Sequence, residues 1–224
     1  MSQDSVHIYG PKFSNFVRTV MLVCEEKGID YQTGFTINND EISFKSEQHF
    51  TLHPFGKLPV LIHNELTLPE TASICRYLDN NFAGIALQPK EPLAHAKHDA
   101  LCALISIDID KALVRDYLAE FAFPKGENGE ARLDVAKQAQ DKVRKALTVI
   151  SNELASSAVI SVDNDSFNIA DTLIAPMLHY ITQLPESFNL LAEFPVVEKY
   201  LAKLMTRKSC QKVLQAKPLP VQRN

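Results

Sequence analysis

The chain has 224 residues, 46% hydrophobic and 22% charged, enough to bury one large or two small domains and ordinary for a soluble globular protein. A formal net charge of -4 offers no basic surface to nucleic acid or anionic lipid, and no apolar run reaches the roughly 18 residues of a membrane span. The acidic, polar start MSQDSVHIYG is unlike a secretory leader, and the scattered Cys24, Cys75, Cys102 and Cys210 read as reduced, mostly buried thiols, so a cytoplasmic protein is expected.

In chain order, Val6-His7-Ile8-Tyr9 predicts a short strand closed by Gly10-Pro11. Val17, Val20, Met21 and Cys24 fall at helical spacing, with Lys27 in the last turn and Gly28 as a left-handed cap. Tyr31 to Thr36 predicts a second strand, which completes a βαβ unit. A short helix is expected between Glu41 and Leu52, and then two strands, Val60–Ile62 and Leu66–Leu68, joined by a turn in which Asn64 tolerates positive φ. Thr71 opens a helix through Leu78.

From about Pro92 the strand signals nearly vanish. Leu101, Leu104, Ile105, Ile109, Ala112, Leu113 and Tyr117 make one apolar stripe, and Pro124, Gly126 and Gly129 then break the chain. A second long helix is carried by Ala136, Val143, Leu147, Ile150 and Leu154, and a third by Ile169, Leu173, Met177, Ile181 and Leu184, with a kink expected at Pro176. Pro195 suits the first turn of a fourth. The reading is an α/β domain at 1–81 and an all-α domain at 92–224, hinged between Phe82 and Pro92.

Strand, helix, strand, helix, hairpin and closing helix, with Pro59 opening the third strand, is the thioredoxin-like plan. There the Leu58–Pro59 bond is expected to be cis, turning the amide and carbonyl of Leu58 outward to pair with an extended peptide ligand. Glu70 and Thr71 stand at a helix start, where free N–H groups favour an anion and the Glu70 carboxylate favours an ammonium. The γ-glutamyl end of glutathione carries both groups on one carbon. The plainer alternative is that Thr71 simply caps its own helix.

The chain resembles the cytosolic glutathione transferases over nearly its whole length. YGPKFSNFVRTVMLVCEEKGIDY is similar to that family's first strand and helix, HPFGKLPVL and LPETASICRYL to its glutathione-binding core, and FNIADTLIAPML to a helix start of its C-terminal domain. The resemblance implies that Leu58, after which Pro59 is cis, pairs with the cysteinyl backbone of glutathione, and that Glu70 and Thr71 hold its γ-glutamyl group. Lys57 would lie near the peptide. Lys45 would meet the glycyl carboxylate, with Phe44-Lys45 standing where related members carry a His-Lys pair. Asn168 would cap its helix and Asp171 would be a buried structural acid. His53 replaces the family's usual Asn, with no evident functional meaning.

Only the thiolate is an effective nucleophile, and a free thiol titrates near 8.5, so the glutathione thiol needs a donor. Ser14, in S-x-x-x-R-x-V, matches the serine of theta- and phi-like members, and its other reading is a plain helix cap. Asn15 is a second candidate donor and Tyr9 a third, although Tyr9 also reads as strand core. No cysteine lies in this loop, which argues against mixed-disulfide chemistry. Asp108 falls on the apolar stripe, where it either forms a buried ion pair or reaches a ligand, in this family that of a second subunit. His95 and His98 have helical metal-ligand spacing but no third ligand, and read as solvated helix surface.

The resemblance therefore implies a detoxifying transferase that conjugates glutathione to a small electrophile bound with help from the 92–224 domain. It implies a homodimer, glutathione as co-substrate, and no other cofactor or metal. The alternatives are glutathione-dependent isomerisation or peroxide reduction on the same fold, or a non-catalytic binding or regulatory protein of the stringent-starvation kind.

Overall fold

The computed structural model describes residues 6–156 and 158–215. Met1–Ser5, half of the stretch compared with a secretory leader, lie outside them. The chain separates into two compact units, Met1–Gln88 and Pro89–Asn224.

In the first unit, β1 (Val6–Tyr9) is buried at Val6, Ile8 and Tyr9, and leads into α1 (Asn15–Lys27). The inward face of α1 includes Val17, Val20 and Cys24, each fully buried, which for an aliphatic side chain stabilises by about 1.5–3 kcal/mol. Gly28 ends the helix at φ 67°, ψ 31°, its N–H returned to Cys24 and Glu25 carbonyls. The following strand, β2 (Tyr31–Gly34), stops short of the expected Thr36. The chain there turns into a small hairpin, β3 (Thr36–Ile37) and β4 (Asp40–Glu41), joined through Asn38 and Asn39 at φ 49° and 72°. Two-residue strands carry no periodicity, so the sequence pattern did not predict it; an Asn-Asn pair able to take positive φ is its one signal.

Next come α2 (Glu47–Leu52), β5 (Val60–His63), β6 (Leu66–Pro69) and α3 (Thr71–Asn81). The turn between β5 and β6 has Asn64 at φ 54°, as expected. The sheet order is β2-β1-β5-β6, with β1 parallel to β2 and antiparallel to β5, and β5 antiparallel to β6. Helices α1 and α3 pack on each other beside this sheet. This is the thioredoxin-like arrangement, and it sets the β1–α1 loop, the β5 entrance and the α3 start side by side.

The second unit is helical. Helix α4 (Pro92–Leu104) is capped by the Glu91 carboxylate, which accepts from the amides of Leu93 and Ala94. It continues into two π-helical stretches, Ile105–Ile109 and Lys111–Leu118, and a short α5 (Ala119–Ala122). After the Pro124–Gly129 break come α6 (Leu133–Ser156), α7 (Ile169–Ile181), α8 (Pro195–Leu204) and α9 (Lys208–Val213). Every residue of α7 is buried, and the helix runs unbroken through Pro176. Asn168 caps it in a reciprocal capping box with Asp171. Burial raises the Asp171 carboxyl to about 6, against the opposing effect of the Tyr200 hydroxyl that donates to it.

Asp108 and His98 both depart from the places expected from the sequence. Asp108 is exposed, whereas Asp110 is buried and paired with Arg115, whose Nε donates to Oδ2 at 2.6 Å. The cause is the π-helical backbone, in which bonds run from i+5 to i and each residue advances less about the axis than the 3.6-per-turn α-helix assumes. The stripe phase slips, and Asp108 leaves the apolar face. His98 is fully buried rather than solvated, with Nε2 3.6 Å from the buried Cys102 Sγ. Among the described residues no helix is long and apolar enough to cross a membrane.

Candidate functional site

Gly10 leaves β1 at φ 141°, and a Cβ there would lie 2.7 Å from Val17 Cγ2 and 3.6 Å from Leu58. Only glycine lets the chain cross between α1 and Leu58 at this point. The turn it opens is closed by the Ser14 amide on Pro11 O (2.9 Å) and by Arg18 Nε on Lys12 O (3.1 Å). Ser14 then takes extended backbone, φ -65° and ψ 132°, as the residue before α1.

Its hydroxyl does not cap the helix. The plain-cap reading of Ser14 therefore fails, and the half-buried hydroxyl is left for another partner. Asn15 beside it is 8% exposed, and both Nδ2 and Oδ1 lack a hydrogen-bond partner among the described residues. An unmet buried polar group costs about 1–3 kcal/mol, which calls for a compensating use. Tyr9 has none to offer: it is fully buried and its hydroxyl already donates to Ile42 O at 2.8 Å. Burial also raises its pKa.

Across from Gly10, the Leu58–Pro59 peptide bond is cis. Val60 is the first residue of that strand in the ladder, opposite Tyr9 and Pro69, so half-buried Leu58 lies just outside it. Among the described residues no backbone bond outside helices and strands involves Leu58.

Lys45 and Lys57 are both exposed, and one buried imidazole brings them together. His49, fully buried on α2, accepts from the Lys45 amide at Nδ1 (2.9 Å), so Nε2 carries the proton and donates to Lys57 O (3.1 Å). Each ammonium lies near an aromatic ring, Lys45 Nζ 5.5 Å from Phe44 and Lys57 Nζ 5.8 Å from Phe55.

Glu70 precedes α3 at φ 72°, ψ 111°. A non-glycine residue held there costs on the order of 1–3 kcal/mol, a strain that clusters at ligand sites. Its carboxylate is 67% exposed, with Oε1 3.5 Å from His53 Nε2. The Glu70 side chain does not cap α3, and among the described residues the buried Thr71 hydroxyl has no bond to its own helix start, so the first amides of α3 stay open to an anion. One end of the unit thus presents an uncommitted hydroxyl, an exposed strand-like backbone, an anion-favouring helix start, a carboxylate and two ammonium groups. Those suit a small zwitterionic peptide.

Sequence reasoning missed His49 and dismissed His53. Their signal was the His-x-x-x-His spacing, which puts His49 in the last turn of a short helix and His53 at the extended residue that ends it and opens HPFGKLP. Asp108 belongs to the helical unit, exposed along a groove of about 320 Å³ with Lys111, Asp116, Lys142 and Lys145.

Two family descriptions match the chain: the N-terminal domain of glutathione S-transferase over residues 13–81, and its C-terminal domain over 130–203. Glutathione S-transferase 4 of Zea mays is 25% identical over 98% of this chain and 96% of its own length. A stringent starvation protein A homolog of Pasteurella multocida is 27% identical over 90% and 86%. Glutathione transferase F2 from Populus trichocarpa superimposes with a TM-score of 0.78 at 24% identity, over 94% of this chain and 97% of that one. With both of its domains matched and more than half of its length covered, the chain belongs to the glutathione S-transferase family.

Proposed function

We propose that this protein is a glutathione transferase of the serine type. Glutathione lies along the Leu58 backbone, its γ-glutamyl carboxylate at the α3 start with Thr71 and its ammonium at Glu70, while Lys45 takes the glycyl carboxylate and Lys57 flanks the peptide. Ser14 donates to the sulfur and Asn15 is the second donor. The thiol proton passes to water, and the thiolate attacks an electrophilic carbon of the second substrate. A carbon–sulfur bond forms as the leaving group departs with its electron pair.

The observation that carries this reading is the Ser14 hydroxyl, present at a helix start and not spent on the helix. Bringing the thiol pKa down by about two units takes about 2.7 kcal/mol, and one hydrogen bond to a charged acceptor supplies roughly 1.5–3 kcal/mol. Calorimetry with glutathione, followed by a conjugation assay with a chloronitroaromatic, tests it. Saturable binding and turnover are expected; absence of binding contradicts the site.

The similarity to a stringent starvation protein A homolog favours a second, regulatory reading, in which glutathione binds without turnover or not at all. We also propose a homodimer, with the exposed Asp108 available to the partner. Light scattering at micromolar concentration should give twice the chain mass, and a monomer mass contradicts it.

A further inference from the structure

We propose that His53 is a positioning residue for glutathione recognition: its buried imidazole holds the Glu70 carboxylate in the orientation that receives the ligand's ammonium. The proposal rests on the assignment of Glu70 to that group.

His53 follows α2 and is 2% exposed. Its Nδ1 accepts from the Phe55 amide at 3.1 Å, which fixes the ring and leaves the proton on Nε2. That nitrogen faces Glu70 Oε1 at 3.5 Å, one small side-chain rotation from hydrogen-bond length. The carboxylate is otherwise two-thirds exposed on a flexible stem, so ordering it for a ligand costs rotamer entropy. A fixed donor on one oxygen reduces that cost and leaves Oε2 for the ammonium. A single imidazole N–H occupies only one oxygen, whereas a lysine ammonium or an arginine guanidinium in its place would compete with the ligand for the whole carboxylate. The unusual backbone of Glu70 and the buried ring of His53 thus act on one carboxylate from two sides.

The test is a double-mutant cycle of His53→Ala and Glu70→Gln, with glutathione Kd from calorimetry and kcat at saturating glutathione. His53→Ala should weaken glutathione about tenfold, with kcat changed by less than about twofold, and the loss should fall below about twofold in the Glu70→Gln background. His53→Gln, whose amide can still donate, should recover part of the affinity; if His53→Ala does not fold, the same coupling is read from His53→Gln. Equal losses in both backgrounds would overturn the proposal, since the contact with Phe55 alone would explain them. An unchanged Kd in His53→Ala would do the same. An unchanged Kd in Glu70→Gln removes the assignment of Glu70 itself, and the proposal with it; a weakened Glu70→Gln with an uncoupled His53 leaves that assignment standing.

Discussion

At position 70 the proposed recognition of glutathione is set against stability. Glycine takes φ 72° without a Cβ penalty, so Glu70→Gly should stabilise the fold by about 1 kcal/mol, roughly 2–4 °C in Tm for a chain of this size. The same change should weaken glutathione by about 1.5–3 kcal/mol, the worth of a hydrogen bond to a charged group. Glu70→Ala should weaken binding equally with no gain in Tm, because alanine keeps the strain. Thermal melts and calorimetry on the pair separate the two effects, and a Glu70→Gly variant no more stable than Glu70→Ala would show that the backbone is unstrained. Asn15 makes a parallel case. Its amide is buried without partners among the described residues, so Asn15→Leu, close in volume, should keep or raise Tm while lowering conjugation if the amide faces the sulfur. A large fall in Tm would mean that the amide is satisfied in the fold.

Among elements, α1 and α3 are tied by a buried ion pair. Lys27 Nζ donates to Asp79 Oδ1 (3.0 Å) and Ile85 O (3.0 Å), while Asp79 also accepts from the Leu87 amide (2.9 Å) and Gln88 Nε2 (3.0 Å). The side chains are 2% and 5% exposed, so the pair fixes the 85–88 segment to both helices. Burial alone would raise the Asp79 carboxyl, but Gln88, the Leu87 amide and Lys27 together hold it below its ordinary value. Lys27→Met strands a buried carboxylate and should cost about 3–5 kcal/mol, and Lys27→Met/Asp79→Leu should recover about half of that. A depressed folded-state pKa contributes stability above the unfolded value and loses it as pH falls through the folded one. The difference between wild type and Asp79→Asn should therefore be full at neutral pH and shrink below about pH 4. Denaturant melts across pH measure it, and a pH-independent difference contradicts the account. Where element geometry departs from the regular helix, pattern reading failed: the π-helical backbone put Asp110 inside and Asp108 outside.

Over the whole molecule, what was legible was whatever repeats or stops locally. Valine spacing located α1, Gly28 its end and Asn64 the β5–β6 turn, while Asn168 and Asp171 at the start of α7 were expected from the family resemblance. The candidate site was half legible. GKLP and ETASI mark the places of Leu58, Pro59, Glu70 and Thr71, because turn and helix-start chemistry is local. The contacts of His49 and His53 were not, since each depends on a backbone or carboxylate brought close only by folding. The same holds for Ser14, where sequence left cap and donor open and the fold leaves the hydroxyl off the helix. The central claim is that this hydroxyl holds the glutathione sulfur as a thiolate, and thiolate absorbance of the bound peptide, titrated in wild type and Ser14→Ala, tests it most directly. The bound thiol's pKa should rise by about one to two pH units in Ser14→Ala, with conjugation at neutral pH falling about ten- to a hundredfold. A superimposable titration in the two proteins would contradict the claim.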